Sequence, residues 1–164
     1  MFKLITKTIA AVAIVSVALF GSANAKTLKI ETHFTANSPN GEVAAQFAKN
    51  VEMFSGGSLK VEMFYSSSIS GKSAEVFNSA QTGIIDCDMT GAGYQTGKNA
   101  AFQFAGDVMG GYDNPYQQYD FLKFPGAQDA VDNLYNRYGM TLIGWWIPGH
   151  ESLISSIPIP DVAS

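Results

Sequence analysis

Residues 28–63 read LKIETHFTANSPNGEVAAQFAKNVEMFSGGSLKVEM, and this stretch decides the fold. From Leu28 to Phe34 apolar and polar residues alternate, with Leu28, Ile30, Thr32 and Phe34 on one face and Lys29, Glu31 and His33 on the other, which is the pattern of a strand. Ser38 followed by Pro39 reads as an N-cap and the one helical position where proline loses no hydrogen bond. Glu42 in the first turn suits the positive end of the helix dipole. Val43, Phe47, Val51 and Phe54 then recur at spacings of four, four and three, a single apolar stripe along a helix. Gly56 and Gly57 end that helix, and Leu59, Val61 and Met63 alternate with Lys60 and Glu62 in a second strand.

Working outward, a serine-rich turn from Ser66 to Ser70 leads into a helix from about Ser73, with Ala74, Phe77 and Ala80 inward and Gly83 closing it. Ile84 to Thr90 reads as a third strand, with Ile85, Cys87 and Met89 on one side and Asp86 and Asp88 on the other. The first half is therefore βαβαβ. Right-handed crossovers lay both helices against a parallel sheet, and a ligand crevice opens at the carboxyl ends of the strands. Those ends are Phe34 to Asn37, Phe64 to Ser67 and Thr90 to Tyr94. Beyond them, Ala101 to Tyr112 is rich in Phe and Gly without a period and reads as a loop with buried aromatics. A short helix follows from Pro115, capped by Asn114, to about Lys123. A longer one runs from Ala127 to Tyr138, with Val131, Leu134 and Tyr138 on one face and Gly139 as its cap. Met140 to Ile147 reads as a last apolar strand, turned by Pro148 and Gly149. The tail after Ile157 carries no helix or strand signal.

The N-terminus has the three parts of an export signal: Lys3 and Lys7, an apolar run from Ile9 to Phe20, and Ala23, Asn24 and Ala25 as a small-x-small cleavage site. The run falls short of the roughly 20 apolar residues that a bilayer span needs. The expectation is a product cleaved after Ala25, acting in the periplasm and not spanning the membrane. With 14 acidic and 10 basic residues the net charge is -4, and Lys3 and Lys7 leave with the leader, so the product is more acidic still. Nucleic acid is excluded as a natural partner on that balance. Cys87 is the only cysteine, which forbids an intramolecular disulfide, and its neighbours mark it as a small buried hydrophobe. Removing 25 of 164 residues leaves a length that suits one domain and is small for two full lobes.

Enzyme chemistry finds little purchase. Gly91, Ala92 and Gly93 offer two glycines of a dinucleotide fingerprint, but Thr96 stands where the third belongs. Gly97 and Lys98 resemble the end of a phosphate loop, but Ala92 replaces its first glycine and Asn99 its Ser or Thr. His33 and His150 lie far apart with no paired ligand beside either, so no metal or other cofactor is expected. Asp86 and Asp88 fit paired acids less well than a solvated or hydrogen-bonded strand edge. Tyr94, Trp145 and Trp146 sit where strands end, and by alternation one tryptophan of the pair faces the core.

Three segments carry a resemblance. They are the opening strand with its Pro39-containing helix, the run Ser55-Gly56-Gly57-Ser58-Leu59-Lys60-Val61-Glu62 with Phe64, and Gln81-Thr82-Gly83-Ile84-Ile85-Asp86. Together they resemble the solute receptors of tripartite ATP-independent periplasmic (TRAP) transporters, the DctP-like family, and the likeness continues more loosely through Tyr94, Gly97-Lys98 and Gly144-Trp145-Trp146. The resemblance implies an α/β, periplasmic-binding-protein-like lobe over 26–92. Residues 93–164 then cross into an incomplete second lobe. It also implies a receptor that closes on a small organic acid and delivers it to sodium-driven membrane permease subunits, with no chemistry on the ligand. Carried over by position, the ligand-binding residues are Phe34, Asn37, Thr90, Gly91, Ala92 and Tyr94, with Trp146 beside Tyr94 over the ligand's carbon skeleton. The family's carboxylate-gripping arginine has no counterpart here. Arg137, the one arginine, falls in the last turn of a helix, and the family position would lie beyond Ser164. The expectation is a truncated chain that binds ligand weakly or not at all. A periplasmic sensor component and a small secreted α/β enzyme are the competing readings.

Overall fold

The computed structural model describes residues 25–106, 108, 110–147 and 154–159. Residues 1–24 of the stretch read as an export leader, Pro148 and Gly149, which were read as a turn, His150 and the final residues of the tail lie outside them. Three parallel strands form the sheet: β1 (Lys26–Thr32), β2 (Leu59–Phe64) and β3 (Cys87–Met89), in the order β2-β1-β3. In register, Lys26 faces Leu59 and Glu31 faces Phe64, while on the other side Ile30 faces Cys87 and Thr32 faces Met89.

The chain leaves β1 toward β2 through α1 (Pro39–Phe54) and returns past β1 to β3 through a 3-10 turn (Ser73–Glu75) and α2 (Val76–Gln81). The two crossovers run in opposite directions across the sheet. Right-handed connections therefore put α1 and α2 on opposite faces, and the carboxyl ends of β1 and β3 diverge at a topological switch point. Ser38 caps α1 as its sequence indicates, its Oγ accepting from the Gly41 N–H at 3.1 Å and donating to the Thr35 carbonyl at 2.8 Å. Gly41 is buried against the Thr35 and Ala36 carbonyl oxygens, where a Cβ would clash, so the β1–α1 turn folds tightly onto the helix start.

Sequence and structure differ over which face of α1 is inward. Gly41, Ala44 and Ala48 are the buried positions, whereas Val43 is 52% and Phe54 80% exposed. Small side chains let the helix axis approach the sheet, and the larger residues of the stripe flank that contact. The third strand is shorter than its apolar run, because the amides of Ile84 and Ile85 both turn back to the Ser79 carbonyl. Gly83, at φ +77, makes that turn possible. Sheet pairing resumes with the Asp86 N–H donating to the Lys29 carbonyl at 2.9 Å.

After β3 the chain forms 3-10 turns at Ala92–Gln95 and Ala100–Ala105, then α3 (Pro115–Lys123) and α4 (Pro125–Asn136). The segment read as a loop thus holds a short helix, which buries Phe102 and leaves Phe104 68% exposed. Phe77, Ala92, Phe102, Ala105, Val131 and Leu134 make one apolar cluster joining α2, the 3-10 turns and α4. Met140 to Ile147 is not a strand. Met140, Leu142 and Trp145 pack on that cluster in irregular backbone, and Trp145 Nε1 donates to Gln128 Oε1 at 3.3 Å. Its apolar spacing reported burial correctly, but a strand also needs a neighbour with free N–H and C=O groups, and this segment meets side chains instead.

Candidate functional site

At the tip of β1 the backbone pairing outlasts the formal strand. The Ser66 N–H donates to the Phe34 carbonyl at 3.0 Å and the Ser67 N–H to the Thr32 carbonyl at 3.1 Å. Ser66 and Ser67 adopt φ of 58° and 51°, a left-handed conformation that costs a non-glycine residue on the order of 1 kcal/mol or more. The force holding this turn is Glu31. Its carboxylate is fully buried and accepts from the Ile69 N–H at 2.6 Å, the Ser70 N–H at 3.2 Å and the Ser70 hydroxyl. Ser79 Oγ on α2 lies 2.8 Å from Ser70 Oγ, so the clamp also ties the turn to the helix behind it. A buried carboxylate satisfied by several donors is a strong local restraint.

Rings from three parts of the chain meet at the same tip. Trp146 lies against Phe34 with centroids 5.2 Å apart, Phe34 against His33 at 3.8 Å, and His33 edge-on to Tyr94 at 5.2 Å. Tyr94 is 46% exposed, and its ring also stands over Gly91, 3.8 Å from where a Cβ would be. Phe34, Gly91, Tyr94 and Trp146 are thus brought together. Asn37 stays exposed in the β1–α1 turn, and the Ala92 side chain points into the apolar cluster, so only its backbone remains for a ligand. Of the two tryptophans, Trp145 is the one packed on the core.

Among the described residues, four buried polar side-chain atoms lack a hydrogen-bond partner: His33 Nδ1, Ser67 Oγ, Asp88 Oδ1 and Thr90 Oγ1. All four belong to residues at the carboxyl ends of the strands. Glu31 and Asp88 are direct cross-strand neighbours. Burial, reinforced by the nearby Glu31 charge, pushes the Asp88 carboxyl up to about 6, against the opposing pull of the Thr90 hydroxyl and amide. Burial lowers the His33 pKa, and it raises that of Cys87, where Asp86 and Asp88 add to the effect and keep the thiol protonated. Burial, with Asp88 second, also raises Tyr135 on α4 to about 12, which puts α4 within electrostatic reach of the strand tips.

The acidic pair divides. Asp86 is the hydrogen-bonded strand edge that its sequence indicates, its Oδ2 accepting from the Lys29 N–H at 2.8 Å. Asp88 is neither solvated nor satisfied at Oδ1. Sequence reasoning missed Glu31, His33, Ser67 and Asp88. The available signal was the doubly covered sheet itself, since strands buried on both faces put their polar side inward as well. Among the described residues no group of three His, Cys, Asp or Glu side chains is placed to hold a metal ion. No helix among them is long and apolar enough to cross a membrane.

Comparison with solved structures finds the same architecture. The chain is 26% identical to a TRAP periplasmic solute-binding protein from Rhodobacter sphaeroides in an apo open state, with a TM-score of 0.66 over 72% of this chain and 37% of that one. It shares its fold with a TRAP solute-binding protein from Pseudoalteromonas atlantica holding sodium and pyruvate (20% identity, TM-score 0.64, 71% of this chain and 35% of that one). A third, from a Sulfitobacter species with bound beta-D-galacturonate, shares it at 16% identity and a TM-score of 0.64, over 74% of this chain and 40% of that one. The chain therefore spans well under half the length of these relatives. No curated protein matches significantly. Residues 30–163 match the family model described as bacterial extracellular solute-binding protein, family 7, or DctP. With the strand tips, the ring wall and all of the sheet but the first residues of β1 lying within that match, the chain belongs to the DctP family of extracellular solute-binding proteins.

Proposed function

We propose that this chain is the solute-binding subunit of a tripartite ATP-independent periplasmic transporter. In this reading it is exported, cleaved after Ala25, binds a small organic acid and passes it unchanged to sodium-driven membrane permease subunits. Residues 26–92 act as the first lobe and 93–164 as the crossing into the second. The observation that carries the reading is the union, at the switch point between β1 and β3, of an aromatic wall with buried polar atoms that have no internal partner. A pocket for a small polar molecule needs that combination of apolar cover and a few convergent hydrogen-bonding groups. Thr90 and Asn37 supply side-chain hydrogen bonds, and Gly91 and Ala92 supply backbone. Phe34, Tyr94 and Trp146 cover the carbon skeleton. Relatives that hold pyruvate and galacturonate support an oxygen-rich acid as the ligand class. A protonated, part-buried Cys87 offers no nucleophile, which supports binding without reaction.

Trp146 gives a direct test. A Trp145→Phe variant leaves Trp146 as the single tryptophan, in contact with Phe34. Titration with pyruvate or galacturonate to tens of millimolar is expected to change its emission saturably, and Phe34→Ala is expected to abolish the response. Emission that drifts linearly with added acid, and equally in the Phe34→Ala protein, rejects the site.

A further inference from the structure

β1 ends formally at Thr32, yet the ring proposed to cover the solute belongs to Phe34, beyond the end of the strand. The Phe34 carbonyl is tied to another part of the chain by the Ser66 N–H at 3.0 Å, and the Thr32 carbonyl by the Ser67 N–H at 3.1 Å. Successive amides of an extended strand point opposite ways, so Ser66 and Ser67 could not both reach β1 from such a backbone. Their left-handed conformation, at φ 58° and 51°, turns the two N–H groups to the same side. Two successive serines stay in that region only where their surroundings impose it.

Glu31 is the group that imposes it. Its buried carboxylate accepts from the Ile69 N–H at 2.6 Å, from the Ser70 N–H at 3.2 Å and from the Ser70 hydroxyl. Ser70 has one hydroxyl hydrogen and the carboxylate takes it, so the Ser79 hydroxyl donates to Ser70 Oγ, 2.8 Å away, and anchors the clamp on α2. Within the turn the Gly71 N–H donates to the Ser67 carbonyl at 2.6 Å. These bonds close a circuit. It leaves β1 through the Glu31 side chain, runs from residues 69 and 70 back through 67 and 66, and returns to β1 at Thr32 and Phe34. Loosening Glu31 frees the serines to leave the left-handed region, which releases the Phe34 carbonyl and the ring set against His33 and Trp146.

Resting on the receptor reading above, we propose that Glu31 is a positioning residue for solute binding. It touches no solute itself. It acts through the Ser66–Ser70 turn, fixing Phe34 and, through Phe34, the ring of Trp146. Pre-organising a binding wall in this way raises affinity by removing the ordering cost that the solute would otherwise meet.

A glycine rescue separates positioning from plain stabilisation. Ser66 is exposed, and glycine there takes up the left-handed conformation without steric cost, so it relieves the strain that Glu31 otherwise holds. In the Trp145→Phe background, Glu31→Gln is expected to shift Trp146 emission before any solute is added and to move the Phe34 and Ser67 amides in a nitrogen-15 spectrum, with the Leu134 amide in the apolar cluster unchanged. The initial slope of the Trp146 response to pyruvate or galacturonate should fall about tenfold. Adding Ser66→Gly to Glu31→Gln should restore the emission and most of the slope. A residue that only stabilises the fold predicts the reverse, because glycine gives the unfolded chain more freedom and lowers stability further. A slope unchanged in Glu31→Gln, or one that falls and is not restored by Ser66→Gly, overturns the proposal and leaves the receptor reading standing. No response from the parent overturns both. Should Glu31→Gln fail to fold, Ser70→Ala removes only the hydroxyl from the carboxylate and is expected to lower the slope and move the Phe34 amide in the same direction, and no change in either overturns the proposal.

Discussion

Replacing Asp88 by asparagine should make the protein more stable at neutral pH, and the size of the gain follows from the fold. The carboxyl titrates at 3.8 in the unfolded chain and at about 6 in the folded one, mainly because burial disfavours its charge. Each pH unit of difference corresponds to about 1.4 kcal/mol, so the ionised group opposes folding by about 3 kcal/mol above pH 6. The direction is set by proton affinity. The folded state holds this proton more tightly, so its stabilising contribution is complete below pH 3.8 and is lost as pH rises through about 6. Asparagine cannot ionise and escapes that loss. Urea unfolding followed by tryptophan emission at pH 4.0, 5.0, 6.0 and 7.5 is expected to show the variant gaining about 3 kcal/mol at pH 7.5. The gain should shrink steadily and vanish near pH 4. A variant less stable than the parent at pH 7.5, or a difference that does not change with pH, would refute the reasoning by showing that Asp88 is paired in the folded state.

Three further outcomes follow from other parts of the molecule. Glu31→Gln replaces a charged acceptor that holds two amides and a hydroxyl, and it should cost about 2 kcal/mol or more, with hydrogen exchange at Ile69 and Ser70 accelerated more than elsewhere. Phe102→Ala empties the centre of a ring cluster with Phe77, Tyr135 and Tyr138, and the urea midpoint should fall by the equivalent of about 3–5 kcal/mol. Gly41→Ala drives a methyl into the Thr35 and Ala36 carbonyls. It should destabilise by about 1–3 kcal/mol and shift the amides of 35–37, whereas an unchanged spectrum there would show that the turn has room.

The strand-helix-strand order was legible because it depends on local signals that compete with nothing: alternation in 28–34 and 59–63, the Ser38–Pro39 cap, and the glycines at 56, 57 and 83. What failed depended on partners. The stripe Val43-Phe47-Val51-Phe54 is real, yet α1 buries its alanines, because how closely a helix approaches its sheet is decided by the sheet. The run 140–147 is apolar throughout most of its length but faces rings rather than a strand edge. At the candidate site, Phe34 and Gly91 come from the family resemblance, and Tyr94 and Trp146 from their places at expected strand ends. Glu31, His33 and Asp88 could not be named, because a polar strand face reads as solvent-exposed until a second crossover is seen to cover it. Ala92 is carried over from the family by its position at the end of the third strand, and its methyl group belongs to the apolar cluster.

The order β2-β1-β3 also dictates when the strand tips come into being. The β1–β2 pair closes around a single helix, whereas the Lys29 amide waits for Asp86, 57 residues further on, and closing the longer loop costs more chain entropy. A chain threaded outward from its N-terminus completes the first pairing while Asp88, Thr90 and Tyr94 have still to emerge. The proposed recognition surface is therefore the last part of this sheet to exist.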